Sequence, residues 1–279
     1  MTSPLWLPFL IADVFTGTPL EGNQLGIFPE ADDLDADLMQ RAAREMNFSE
    51  TVFFQSPKGG GDAHVRIFTT ASELPFAGHP TLGSAFVLAE RLGKDLVTLE
   101  TGVGLVPVEF RGDGFGEMRQ RFPDPEPYQR VADLLEAVGV ETSELPVEVY
   151  ENGPRHAYVM LPSEEAVASL KPDMTKLADL DASANCFAGA GTQWLTRMFA
   201  PGHGVVEDPA TGSAAGPLVV HLARNGRVKY GERIEIRQGE QIHRPSRLYA
   251  RAEHDTPGSN TAHVGGHTVV VARGEYRLR

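Results

Sequence analysis

The chain has 279 residues, of which 41% are hydrophobic and 23% charged, a composition with enough apolar content to fill a globular core. Against 25 Lys/Arg stand 38 Asp/Glu, and the net charge of −13 argues against general nucleic-acid binding. Cys186 is the one cysteine, which excludes an intramolecular disulfide and a Cys-rich zinc site and fits a reducing cytoplasm. Met1–Leu10 has neither a basic start nor a long apolar run, so no signal peptide is expected. No stretch approaches the ~18 apolar residues of a membrane span. Residues 221–279 carry 11 Lys/Arg against 6 Asp/Glu, which reads as a solvated basic face.

In chain order, Phe9–Phe15 and Leu25–Phe28 read as strands around a polar turn, Thr16–Asn23. Leu34–Met46 reads as an amphipathic helix, with Leu34, Leu38, Met39, Ala42, Ala43 and Met46 on one stripe and Asn47 as its stop. Strands are expected at Thr51–Gln55 and His64–Thr70, split by a turn at Gly59–Gly61. Pro80–Leu92 reads as a helix apolar nearly all round, hence buried on most sides. Leu96–Thr101 and Gly104–Phe110 are further strands, and the Pro-rich Pro123–Tyr128 reads as a linker. Beyond it, Val131–Val138 suggests a helix, Val147–Tyr150 and His156–Leu161 strands, Pro172–Leu180 a weak helix, and Gly191–Ala200 contains a strand. A third strong helix is expected from just after Asp208 to Asn225-Gly226, followed by strands at Arg233–Arg237, Ser246–Ala252 and Thr268–Arg273. Many short strands with few helices point to an α+β chain of antiparallel barrels or sandwiches, each with a helix.

Two stretches resemble each other. Arg66-Ile67-Phe68-Thr69 followed by His79-Pro80-Thr81-Leu82-Gly83-Ser84-Ala85 matches Arg197-Met198-Phe199-Ala200 followed by Asp208-Pro209-Ala210-Thr211-Gly212-Ser213-Ala214. Arg66 and Arg197 are 131 positions apart, His79 and Asp208 129, close to half the chain, so a duplicated unit with two similar lobes is the economical reading. Proline suits a first helical turn, where its missing N–H would be unpaired anyway. Small residues there leave backbone N–H groups approachable, and such an end attracts anions. Two such ends facing one cleft would hold a carboxylate.

The residues alone leave plainer readings open. Asp208 is readable as a helix N-cap, His79 as a structural histidine and Glu50 as an exposed carboxylate at a strand start. Asp13, Glu50, His79 and Asp208 have no metal-ligand spacing. The chain has no GxGxxG, Walker or GxSxG motif, and Phe187–Gly191 is weak as a phosphate loop because no clear helix follows it.

Asp13-Val14-Phe15-Thr16, Glu21-Gly22-Asn23, Asn47-Phe48-Ser49-Glu50-Thr51, Glu73 through Pro80 and Glu207 through Gly216 together resemble the PhzF family of phenazine-biosynthesis isomerases. Asn152 to His156, Asn185 to Gly191 and Arg197-Met198-Phe199 extend the likeness, which runs from about Ile11 to the C-terminus. The resemblance implies a diaminopimelate-epimerase-like fold: two pseudo-repeated lobes, each a barrel-like, mostly antiparallel sheet around a central helix, with the active site between them. The expected lobes are 1–125, joined by the C-terminal strand 268–279, and 126–267. It further implies a cofactor-free, metal-free isomerase, dimeric and cytoplasmic, acting on trans-2,3-dihydro-3-hydroxyanthranilate, a small anionic amino acid, with no nucleic-acid or membrane partner. Carried over, Glu50 is the catalytic acid/base, His79 contacts substrate, and Asp208, Gly78, Gly212 and Ser213 bind it. The related epimerases place two cysteines at the motifs of His79 and Asp208; this chain has neither, which removes two-thiol racemisation. Gln24 stands where many wider family members have proline, beside the turn and away from the proposed chemistry. The alternatives are an isomerase of the same fold for another small amino or hydroxy acid, and a non-enzymatic small-molecule binder.

Overall fold

In the computed structural model, residues 4–122, 124–256 and 259–279 are described. The chain forms two compact units, residues 1–118 with 266–279 and residues 119–265.

The first unit begins with β1 (Trp6–Val14) and β2 (Asn23–Phe28), continues through α1 (Ala36–Met46), β3 (Glu50–Gln55), β4 (Ala63–Phe68) and the short β5 (Glu73–Leu74), and reaches α2 (Gly78–Leu92). β6 (Leu96–Thr101), β7 (Gly104–Phe110) and the start of β8 (Phe115–Phe122) complete its outgoing path. The second unit holds β9 (Glu126–Pro127), α3 (Val131–Val138), β10 (Glu148–Glu151), β11 (Arg155–Met160), α4 (Glu164–Ala168), α5 (Met174–Ala178), β12 (Ser183–Ala190), β13 (Gln193–Ala200), β14 (Val205–Asp208) and α6 (Gly212–Arg224). β15 (Arg233–Gln238), β16 (Ser246–Thr256) and the first residues of β17 (Ser259–Arg277) follow, and the rest of β17 belongs to the first unit.

The repeat read from short strings is a repeat of topology. In the first unit β1–β2 is antiparallel, β2–β3 parallel, β3–β4 antiparallel, β4–β6 parallel, and β6–β7 and β7–β8 antiparallel. In the second, β10–β11, β11–β12, β12–β13, β13–β15, β15–β16 and β16–β17 give the same series in the same order. Each unit is thus a mostly antiparallel, strand-rich sheet with one buried helix, an α+β fold. α2 packs on β1, β2, β3, β6 and β7, and α6 on β16. Eleven of the 15 residues of α2 are buried and 12 of the 13 in α6, which is why neither shows an amphipathic stripe. Around α1 the first unit adds an aromatic layer, with Phe28 and Phe53 stacked at 5.0 Å and Phe68 edge-on to Phe53 at 5.5 Å.

The repeated Arg-x-Phe has a physical role. Arg66 lies over the Phe68 ring at 5.2 Å and forms a two-pronged pair with Glu73 at 2.7 and 2.6 Å, fixing β5 against β4. Arg197 lies over Phe199 at 5.0 Å and holds Glu207 at 2.9 and 2.8 Å, fixing β14 against β13. In both units this pair anchors the short strand that leads toward the buried helix.

Several boundaries differ from the sequence reading. α1 starts at Ala36 because the Asp35 carboxylate accepts from the Leu38 N–H at 2.8 Å, while Asn47 closes the helix in the left-handed region, φ 55°. α2 starts at Gly78, two residues before Pro80, so proline occupies the third helical position. α6 starts later, at Gly212, with Thr211 in the N-cap position, so Asp208 ends β14 and is not the N-cap of the helix. Gly83, expected to open the first helix end, lies inside α2, where a Cβ would sit 2.7 Å from Val14 and Leu25 side-chain carbons; it serves close helix–strand packing. β8 and α4 had no recognised signal, and Phe187–Gly191 begins as strand, within β12. Position 123 lies outside the described residues, but the rest of the Pro-rich stretch is no free linker. Glu126–Pro127 pairs with β10, and buried Tyr128 donates to Asp181 at 2.9 Å. Among the described residues no helix is long and apolar enough to cross a membrane.

Candidate active site

Glu50, His79 and Gly78 belong to the first unit. Glu50 is the first residue of β3, delivered by the left-handed turn at Asn47 that ends α1. His79 is the second residue of α2 and Gly78 the first. The fold brings Glu50 and His79 together: Nε2 of the buried imidazole is 3.5 Å from the Glu50 Oε2. Behind the ring, Ser49 Oγ lies 3.3 Å from Asn23 Oδ1, and the Asn23 amide nitrogen lies 3.3 Å from His79 Nδ1, so the Asn23 side chain holds the face of the ring turned away from Glu50. Burial pushes the imidazole down to about 3, opposed by the Gln24 backbone, so the contact joins a carboxyl group to a neutral ring and is no ion pair. Gly22, the residue just before β2, has φ +68°, and a Cβ there would lie 2.4 Å from the Val14 carbonyl. Only glycine lets the chain turn tightly enough to deliver Asn23.

Asp208, Gly212 and Ser213 belong to the second unit. The buried Asp208 carboxylate accepts from Thr211 Oγ1 at 2.5 Å. Gln238, on β15, clamps the turn between β14 and α6: its amide nitrogen donates to the Asp208 carbonyl at 2.8 Å and to Thr211 Oγ1 at 2.9 Å, and its oxygen accepts from the Thr211 N–H at 3.2 Å. Gly212 and Ser213 are the first two residues of α6. Their carbonyls are held from outside the helix, Gly212 by Gln120 Nε2 at 3.1 Å and Ser213 by Asn152 Nδ2 at 2.9 Å. The Ser213 hydroxyl lies 3.1 Å from Nε2 of buried His156, whose Nδ1 lies 3.3 Å from Asn185 Nδ2.

Sequence reasoning singled out the residues at the helix starts and missed those behind them: Asn23, Asn152, His156, Asn185, Thr211 and Gln238. One of these carried a usable signal: His156 is a polar residue at the head of an otherwise apolar strand reading, His156–Leu161, and it is buried. Cys186 belongs to none of these groups. It is fully buried on β12, and burial pushes its thiol up to about 12, far from thiolate chemistry at neutral pH.

Residues 12–274 match the PhzC-PhzF family model, described as phenazine biosynthesis-like protein. The chain is 49% identical over 275 residues to the trans-2,3-dihydro-3-hydroxyanthranilate isomerase of Pseudomonas aeruginosa, covering 97% of this chain and 99% of that one. The enzyme of the same name from Pseudomonas fluorescens is 47% identical, over 95% of this chain and 98% of its own length. Among solved structures, a PhzF-family phenazine biosynthesis protein of Bacillus anthracis superposes with a TM-score of 0.87 at 26% identity, covering 98% of this chain and 99% of that one. A hydroxyproline epimerase of Agrobacterium vitis, 13% identical with a TM-score of 0.64 over 98% of this chain and 93% of its own, shares the fold. Near-complete coverage in sequence and structure, together with the doubled sheet-and-helix topology, places the chain in the PhzC-PhzF family of phenazine biosynthesis-like proteins.

Proposed function

We propose that the protein is an isomerase that converts trans-2,3-dihydro-3-hydroxyanthranilate into an amino-ketone able to condense with itself toward phenazines. The observation that carries this reading is the identity of 47–49%, over nearly the whole chain, to enzymes named for that reaction. Glu50 as carboxylate takes the proton from C3, the carbon bearing the hydroxyl. The electron pair delocalises over the ring, the same carboxyl group returns the proton at C1, and the resulting enol tautomerises to the ketone. One base suffices because both carbons present the same ring face. A neutral His79, its Nε2 3.5 Å from the Glu50 carboxyl group, orients that group and contacts the substrate. Asp208 binds the amine and hydroxyl side, and Gly78, Gly212 and Ser213, at the starts of α2 and α6, bind the carboxylate through helix N-terminal donors. The chemistry asks for no cofactor. The same reading makes the protein a cytoplasmic homodimer, for which light scattering would give about twice the 30.3 kDa chain mass.

The test is turnover of the dihydro-hydroxyanthranilate in D₂O followed by proton NMR, with Glu50→Gln alongside. Wild type consumes the substrate, and the variant, folded and still able to bind, is slower by roughly 10²–10⁴-fold, the usual contribution of a positioned acid/base. A Glu50→Gln enzyme as fast as wild type removes Glu50 from the role. Folded wild type that leaves the substrate untouched moves the reading to another small amino or hydroxy acid.

A further inference from the structure

His156 stands behind Ser213 with no part in the chemistry above. It is 1% exposed on β11, and Asn185 on the neighbouring β12 is 2% exposed. Burial pushes the imidazole of His156 down to about 3, so it is neutral and carries a single ring hydrogen. The network says where. Asn185 Nδ2 lies 3.3 Å from the Ser183 carbonyl, an acceptor only, so that end of the amide is the NH₂. The same nitrogen lies 3.3 Å from His156 Nδ1, which therefore accepts, and the hydrogen sits on Nε2. Nε2, 3.1 Å from Ser213 Oγ, donates to the hydroxyl oxygen. A hydroxyl that already accepts from the ring cannot direct its hydrogen back to it, so the Ser213 hydrogen is left to point elsewhere.

The internal repeat supplies a control within the same molecule. Strand pairing aligns Leu25 with His156 and Val52 with Asn185, and the helix motif aligns Ser84 with Ser213. In the first unit the fold is built at these places with leucine and valine, and among the described residues the Ser84 hydroxyl has no hydrogen-bond partner. The sheet and helix thus need neither the imidazole nor the amide. Two polar side chains stand in a core where the sister unit has apolar ones, which costs stability unless something is gained.

We propose that His156, oriented by Asn185, is a positioning residue that holds the Ser213 hydroxyl as an obligate hydrogen-bond donor to the carboxylate of the substrate. This rests on the reading of the function given above. A hydroxyl whose oxygen accepts from a ring N–H is a stronger donor, because each bond polarises the next. It is also preoriented, so substrate does not have to order it.

Two measurements test this. The first is the tautomer of His156 by two-dimensional ¹⁵N–¹H NMR of the full-length protein, assigned by its loss in His156→Gln. Hydrogen on Nε2 is expected; hydrogen on Nδ1 overturns the proposal, since Ser213 would then donate to the ring. The second is affinity for anthranilate, which carries the neighbouring amine and carboxylate but cannot isomerise. His156→Leu is expected to weaken binding roughly tenfold to hundredfold, the usual range for one hydrogen bond to a charged group. His156→Gln, whose amide nitrogen replaces Nε2, restores most of it. In a Ser213→Ala background His156→Leu changes little further, because the hydroxyl through which it acts is gone. Equal losses from His156→Leu in both backgrounds, or a Gln variant as weak as Leu, reduce His156 to a structural residue. Absence of turnover and of anthranilate binding by wild type counts against the function, while the tautomer still decides whether Ser213 is set as a donor.

Discussion

Arg66 and Arg197 occupy equivalent places in the repeat and make equivalent pairs, yet their loss has different consequences. Arg66 and Glu73 are 20% and 41% exposed, so solvent screens the pair and Arg66→Ala is expected to cost about 0–1 kcal/mol. Arg197 and Glu207 are each 9% exposed, and the Arg197 guanidinium also donates to the carbonyls of Val167, Ala168 and Leu170. Arg197→Met strands the Glu207 carboxylate and three carbonyls, for an expected loss of about 3–5 kcal/mol in urea unfolding. Because the pair fixes the strand that ends in Asp208, the substrate KM should rise as well. The double variant Arg197→Met/Glu207→Leu should recover part of the lost stability, since no charge is left buried. Singles no worse than the double would show that burial does not govern this pair. The Arg-x-Phe string was legible as a repeat, but its purpose was not, because Glu73 and Glu207 lie at different spacings from their arginines and only the sheet brings them together.

Among the elements, α6 shows how a helix can tolerate a breaker. Pro217 lies within it and has no N–H for the carbonyl four residues earlier, that of Ser213. Asn152 fills the place, donating to Ser213 O at 2.9 Å and to Gln120 Oε1 at 2.9 Å. Asn152→Ala should therefore destabilise by about 1–3 kcal/mol, the cost of a buried acceptor left alone. Pro217→Ala should recover much of that in the Asn152→Ala background and far less in wild type. Equal effects in both backgrounds would break the link. The sequence displayed α6 from its apolar run and its Asn225-Gly226 stop, and α1 from its stripe. It did not display the starts of α2 and α6, because a His-Pro or Asp-Pro pair fits either before a helix or inside its first turn. In the first unit the helix extends back through it; in the second, Gln238, 30 residues further on, holds the turn out of the helix. Glu50 and His79 were legible as motif residues, whereas Asn185 and Gln238 act across strands and left no local pattern.

For the molecule as a whole, the two buried neutral histidines set an acid limit. His79 and His156 are both held at about 3, against about 6.5 in an unfolded chain. Below that unfolded value the unfolded chain takes up protons that the folded chain refuses, so stability is complete above about pH 6.5 and falls as pH drops toward 3. The slope is about 1.4 kcal/mol per pH unit for each histidine, up to about 2.8 for both. Urea midpoints measured between pH 7 and pH 4 should fall steadily, and His156→Gln should make the decline shallower. A flat profile would mean that neither ring is held neutral.

The pairing of β1 with β17 also sets the reach of a single contact. Trp6–Val14 lie beside Thr268–Arg277, with partners 254 to 271 positions apart in the chain. The whole of the second unit, residues 119–265, lies between them in sequence, so the first unit cannot close its sheet by local pairing. While that long-range contact is unmade, β1 presents an open edge, a template for pairing with other chains. The second unit pairs its strands within one stretch of chain, whereas the sheet that carries Glu50 is closed by a strand the chain reaches only after passing through its sister.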